Sequence, residues 1–141
     1  MAQRPIQHTT ADQGVAEIVR ILTASEWACE RVQADYGEDL VCQTSYKGTI
    51  DPHRILIQVK ASKNVLGKKP IRLKVKKETL LKWLSDSNIV VVCFWSITSR
   101  RALYQIPSDQ FDLYSVDLSN KKHFYLDLLI KNELNSAAIY R

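Results

Sequence analysis

The sequence predicts an α/β domain with a mixed β-sheet flanked by helices, and three observations predict it. Val15, Ile18, Val19 and Leu22 recur at helical spacing near the start. Three short strand-like segments separated by turn residues follow. A second helical segment then precedes Ile89 to Trp95, a continuous apolar run of the kind found in a strand covered on both faces. Short turns joining the early strands, with a helix connecting the later ones, imply both antiparallel and parallel pairing.

The elements follow in chain order. Residues 1–10 are expected to form a loose arm, with Thr9, Thr10 or Asp12 capping a helix that ends near Ser25. Trp27 to Val32 alternates weakly and reads as a first strand, followed by a turn at Asp35-Tyr36-Gly37-Glu38. Asp39 to Tyr46 reads as a second strand, and Lys47 to Pro52 punctuates the chain again. Arg54 to Ala61 is the third strand and Asn64 to Pro70 a loop. Ile71 to Lys76 alternates apolar and basic residues, which as a strand sets Arg72, Lys74 and Lys76 on one solvent face. Lys77 to Leu84 reads as a helix, with Leu80, Leu81 and Trp83 available for packing. Ala102 to Ile106 is a short strand stopped by Pro107, and Lys122 to Leu134 is expected to be a final helix.

Size and composition set limits. A chain of 141 residues suggests one domain, 1–141, long enough to bury a core without staples. No apolar run reaches the length of a membrane helix, and the first residues lack a signal-peptide apolar region, so a cytoplasmic location is expected. Cys29, Cys42 and Cys93 are far apart in sequence and are read as reduced thiols packed in strands. Four scattered glycines provide no phosphate-binding loop, which argues against a nucleotide-binding enzyme, and no small-molecule cofactor is expected. His8, His53 and His123, in apparent arm, turn and surface contexts, give only weak support to nucleophile–histidine catalysis. The net charge of +5 is unevenly placed. From Lys60 to Lys77 there are eight basic residues and no acid: Lys60, Lys63, Lys68, Lys69, Arg72, Lys74, Lys76 and Lys77. Such a run is either a solvated face or the footprint of a polyanion. Arg100, Arg101, Lys121 and Lys122 are candidates to extend it.

The third strand carries the most telling pair. In Ile55-Leu56-Ile57-Gln58-Val59-Lys60, alternation sends Leu56, Gln58 and Lys60 to one side, so two polar groups interrupt a face that should be buried. Upstream stand Asp39 and, in the first helix, Glu17. Phosphodiester hydrolysis needs a water made nucleophilic and a negative transition state neutralised, and a divalent metal does both. Mg²⁺, with Mn²⁺ as its substitute, prefers oxygen ligands. Asp39 is the natural anchor, Gln58 and the backbone carbonyl of Val59 can add oxygens, and Glu17 can approach from the helix. Lys60 is placed to orient the water or offset phosphate charge. Each residue also has a plainer reading. Asp39 fits a turn or strand-end acid, Gln58 and Lys60 fit an edge strand with one wet face, and Glu17 sits on the helical wheel away from the apolar stripe.

In this order, Glu17, Asp39, Gln58 and Lys60 resemble the site of the PD-(D/E)xK, or restriction-endonuclease-like, superfamily. Its core is helix–strand–strand–strand–helix–strand (αβββαβ), with an acid at the end of the second strand, an acid-x-Lys on the third and often a Glu on the first helix. Asp39 matches the first acid, Gln58 and Lys60 the acid-x-Lys pair, and Glu17, within Gly14-Val15-Ala16-Glu17, the helix acid. Gln-x-Lys also occurs in members similar to Holliday junction resolvases. A closer resemblance is to bacterial standalone domains with a Gly-x-x-Ala-Glu helix, an Asp-x-Gly-x-Asp turn, a Gln-Val-Lys strand and a Trp-containing helix. Here these are Gly14 to Glu17, Asp35 to Asp39, Gln58 to Lys60 and Leu81-Lys82-Trp83, and the similarity covers roughly residues 12 to 107. Two departures stand out: no Pro precedes Asp39, and Gln58 replaces the usual acid, removing one negative charge from the site. The resemblance implies a Mg²⁺-dependent DNA endonuclease, with DNA gripped by Lys63, Lys68, Lys69, Arg72, Lys74, Lys76 and Lys77. A homodimer would match duplex symmetry. The alternatives are a nucleic-acid-binding module without catalysis, or a subunit of a restriction or mobile-element assembly.

Overall fold

A computed structural model describes residues 6–32, 40–46 and 49–135 of the chain. Helix α1 (Ile6–Ala24) leads into β1 (Ala28–Arg31), β2 (Leu40–Tyr46) and β3 (Thr49–Ser62). Next come β4 (Ile71–Lys76), α2 (Lys77–Ser85), β5 (Ile89–Ser96) and β6 (Arg101–Gln105). Two short helices, α3 (Pro107–Gln110) and α4 (Leu113–Leu118), precede β7 (His123–Leu128). The main sheet has the order β1-β2-β3-β5-β6, and β4 pairs with β7 in a separate two-stranded sheet. β1, β2 and β3 form an antiparallel meander. β3 and β5 are parallel from Ile55↔Ile89 to Ser62↔Ser96, and β6 returns antiparallel to β5. The mixed α/β sheet expected from the sequence is therefore present.

Alternation along β3 and β5 divides the apolar side chains between two faces. Ile57 and Val59 of β3, with Cys93 and Trp95 of β5, pack with Val15, Ile18 and Leu22 of α1. Leu56 of β3 and Val90 and Val92 of β5 instead pack with Leu80 and Trp83 of α2, Val75 of β4 and Leu126 of β7. A further cluster of Phe94, Leu103 and Leu128 joins the two sheets. Both faces of β5 are thus covered, as its uninterrupted apolar run requires.

Three expectations are corrected. The first helix begins at Ile6, so residues 6–10 are helical and not an arm. The segment expected to be a final helix instead contains β7, antiparallel to β4 from Ile71↔Leu128 to Lys76↔His123. The physical reason is a period of two: Leu126 and Leu128 are fully buried while His123, Tyr125 and Asp127 alternate with them on the other side. Gln110 clamps this strand, its Nε2 donating to the Asp127 carbonyl at 2.6 Å and its Oε1 accepting from the Asp127 N–H at 3.0 Å. β3 also extends beyond the expected strand in both directions.

The cysteines are free thiols within strands. Cys29 and Cys42 are register partners, with the Cys42 Sγ donating to the Cys29 Sγ at 2.9 Å. Burial pushes the Cys93 thiol up to about 12.

Gly14 shows how closely α1 approaches the sheet. A Cβ at this position would lie 2.7 Å from the Cβ of Ala61 on β3 and 3.4 Å from a methyl of Val59. Gly→Ala in a helix interior ordinarily stabilises by about 0.5–1 kcal/mol. Here the contact with β3 reverses the sign: Gly14→Ala is expected to lower Tm, while Ala16→Gly, on the exposed side of the same helix, lowers it only through propensity. A rise in Tm for Gly14→Ala in thermal unfolding would contradict this packing.

Candidate functional site

The face of β3 that turns away from α1 forms one wall of a groove of about 490 Å³. β4 and the first turns of α2 supply the others, and the groove is lined by Gln58, Lys60, Leu73, Lys74, Val75, Lys76, Thr79 and Trp83. The covalent order explains the construction. β4 leads directly into α2 at Lys76-Lys77, and α2 presents Thr79 and Trp83, four residues apart and therefore on one helix face. Lys74 and Lys76 alternate with buried Val75 on β4 and are exposed. Lys60 is exposed, whereas Gln58 is buried at 6% exposure. Among the described residues, three ammonium groups and no carboxylate line this space.

Gln58 does not have the environment of a wet edge strand. β3 is an interior strand with β2 on one side and β5 on the other, and Gln58 stands beside Val92 in the parallel register. Its Oε1 is buried without a hydrogen-bond partner, and so is the Nε1 of Trp83, itself 6% exposed. Leaving such a group unpaired costs about 1–3 kcal/mol, so each marks a position where a ligand or ordered water has something to gain. The terminal amide of Gln58 can exchange its oxygen and nitrogen by a half-turn, so either end can meet that ligand.

The other predicted residues are placed differently. Glu17 is on α1, which packs against the opposite face of β3, and its carboxylate accepts from Arg20 Nε at 2.8 Å; it does not line the groove. Asp39 and the turn before it lie outside the described residues. Leu40, the next residue after Asp39, is the register partner of Ile57, the residue before Gln58. Val59 is paired alongside Cys93 within the sheet.

The basic run separates into committed and uncommitted cations. Lys77 is held, its Nζ donating to the carbonyls of Asp117 at 2.9 Å and Ser119 at 2.7 Å. Arg72 pairs with Asp127 at 3.1 Å and lies 4.7 Å from the ring centre of Tyr125. Arg101 pairs through two nitrogens with Glu133, whose carboxyl is held below the usual range by that guanidinium. Lys63, Lys68 and Lys69 are exposed. The backbone carrying Lys63 is pinned by Thr98 Oγ1 donating to the Lys63 carbonyl and Ser96 Oγ donating to the Asn64 carbonyl, both at 2.6 Å. Lys121 and Lys122 join Lys76 at a second groove of about 560 Å³, which also includes Glu78, Ser119 and His123. Lys76 therefore links the two grooves.

Mg²⁺ can be tested against these residues. Gln58 offers an orphaned oxygen, a suitable donor for a hard cation. Among the described residues, however, no group of three or more His, Cys, Asp and Glu could hold a metal ion. The described residues thus supply an oxygen and flanking positive charge, but not the carboxylates. Trp83 and Thr79 are groove residues that the sequence does not assign to the site: Trp83 is marked for packing and as part of the Leu81-Lys82-Trp83 motif, and Thr79 is not singled out. Their spacing of four on α2 is the available signal, and it reads equally as a core stripe.

No known family profile matches the chain, and no curated protein matches it. Among solved structures, the chain is similar to a Holliday junction resolvase, Hjc, from the archaeal hyperthermophile Archaeoglobus fulgidus. Identity is 14%, the TM-score is 0.54, and the match covers 83% of each chain. A bacterial homing endonuclease, I-Ssp6803I, aligns over 86% of this chain and 78% of its own, with 13% identity and a TM-score of 0.47. The first of these likenesses, together with the mixed five-stranded sheet and its flanking helices, shows that the chain has the restriction-endonuclease-like fold.

Proposed function

We propose that this chain is a Mg²⁺-dependent endonuclease acting on DNA, with its reaction centre at the Gln58–Lys60 end of β3. The observation that carries the reading is the placement of Gln58 and Lys60 side by side in a groove flanked by Lys74 and Lys76, on the restriction-endonuclease-like fold. The likeness to a Holliday junction resolvase supports DNA as the substrate.

In this proposal Asp39 supplies the carboxylate. The peptide bond to Leu40 keeps its Cα within about 3.8 Å of the Leu40 Cα, and Leu40 is paired with the neighbour of Gln58. Asp39, Gln58 Oε1 and the Val59 carbonyl would hold the metal, which when bound polarises water and grips phosphate oxygens. The Lys60 ammonium stabilises charge building on the phosphate and orients the attacking water. Lys74 and Lys76 hold the flanking backbone, and Lys63, Lys68 and Lys69 extend that hold from the loop before β4. Arg72 and Lys77 contribute by fixing β4 and α2. Glu17, paired with Arg20 on the α1 side of β3, is given no role in the groove. Cutting both strands of a duplex needs two sites, which a two-fold pairing of chains supplies.

One observation favours a second reading, a nucleic-acid-binding module without cleavage. Gln58 stands where the resembled site has an acid, which removes one negative charge from the metal site. Incubation with supercoiled plasmid separates the readings. An endonuclease is expected to nick with Mg²⁺ or Mn²⁺ and not with EDTA, with salt-sensitive retardation throughout. Retardation without nicking at any divalent metal favours the binding module.

Lys60→Ala and Asp39→Asn are each expected to lower the cleavage rate by a factor on the order of 10²–10³, as loss of an electrostatic stabiliser does, while Kd for DNA and Tm change little. Retained cleavage in either variant overturns the site. Lys74→Glu with Lys76→Glu is expected to weaken binding and flatten the dependence of log K on log salt, by about 0.9 for each phosphate no longer neutralised. An unchanged slope removes β4 from the interface.

A further inference from the structure

We propose that Trp83 is a phosphate-positioning residue whose indole N–H donates to a non-bridging oxygen of the nucleic-acid backbone lying in the β3–β4–α2 groove. The inference deepens the nuclease reading and rests on its assignment of this groove to the nucleic acid.

Trp83 carries an unexplained donor. Its side chain packs in the core between α2 and the sheet with Leu80, Val90 and Val92, a position that a leucine or phenylalanine could fill. An indole adds one polar atom there, Nε1, which can only donate. That atom is buried, lacks a hydrogen-bond partner, and belongs to a residue more than nine-tenths buried that lines the groove. A second buried atom in the same state, Gln58 Oε1, belongs to the same groove.

The chemistry of the remaining wall selects the ligand. Lys60, Lys74 and Lys76 bring positive charge, no acid among the described residues lines the space, and Thr79, one turn before Trp83, adds a hydroxyl. An anion with several acceptor oxygens satisfies the ammonium groups and the indole N–H together, which a protein carbonyl or a base edge does not. Backbone phosphate has that chemistry, and hydrogen bonds to charged acceptors are the stronger kind. Nε1 is shielded in the free chain, so the contact forms when side chains of the groove rearrange; the lysines have flexible arms able to do so. Trp83 neither donates nor accepts a proton in the reaction. It sets where the phosphate sits relative to Gln58 and Lys60.

The test uses the full chain in EDTA, so that binding is read without cleavage. Trp27, Trp83 and Trp95 give three indole N–H resonances, and Trp83→Phe identifies its own. On titration with a duplex oligonucleotide the Trp83 resonance is expected to move downfield, by more than the other two. Trp83→Phe is expected to raise Kd about tenfold, the loss of one hydrogen bond to a charged group, with an unchanged salt slope because the lost donor is neutral. Lys74→Ala instead lowers the slope by about one. Saturable binding by the wild-type chain with none of the three indole resonances moved overturns the inference and leaves the nuclease reading standing, and this result needs no variant to fold; with Trp83→Phe folded, an unmoved Trp83 resonance does the same. Absence of any salt-sensitive binding overturns that reading, and the inference with it.

Discussion

Everything at this site depends on β3 being paired on both edges and covered on both faces. Its interior position in the order β1-β2-β3-β5-β6 fixes the register. The register fixes alternation, and alternation decides which side chain meets which layer. A slip of one residue would turn Ile57 and Val59 into the groove and drive Lys60 against α1, where Gly14 already leaves no room for another carbon near Ala61. Close packing of α1 on one face is therefore what holds Gln58 and Lys60 on the other. The parallel ladder to β5 has the same effect, because Val92 and Phe94 stand beside Gln58 and Lys60 and join the cores on the groove side.

The β4–β7 sheet gives this groove its second wall and much of its charge. Its buried residues, Val75, Leu126 and Leu128, dock it onto the main sheet and α2, while the alternate positions on β4 carry cations outward. Several of these cations stabilise the protein itself. Lys77 ties the start of α2 to the end of α4, and Arg72 ties β4 to β7. The electrostatic footprint is consequently smaller than the run of eight basic residues suggests. It is also better directed, since Lys60, Lys74 and Lys76 face one space and Lys121 and Lys122 adjoin it through Lys76.

Much of this is legible in the sequence, for identifiable reasons. Two polar residues in an otherwise apolar strand mark the site, because a period of two leaves no ambiguity about which residues share a face. The apolar run of β5 and the apolar–basic alternation of β4 are equally direct. What escapes is decided by tertiary contact. The β7 segment reads as a helix because Leu126, Leu129 and Ile130 stand at helical i, i+3, i+4 spacing, while Phe124, Leu126 and Leu128 equally fit a strand. Pairing with β4 and the Gln110 clamp settle the choice. Polar residues in the first turns of α1 resemble caps, which places the expected start of that helix too late. Trp83 looks like a core residue, which it is; nothing in its spacing reveals that its one polar atom lacks a partner.

The most direct test is where nucleic acid touches the chain. A duplex carrying photoreactive bases, bound in EDTA and irradiated, would be followed by mass spectrometry of the linked peptides. Crosslinks are predicted to concentrate between residues 58 and 83, on β3, the loop after it, β4 and α2. Crosslinks confined to α1 or to the β1–β2 edge would contradict a nucleic-acid site in the groove, because those elements lie away from the face of β3 that carries Gln58 and Lys60.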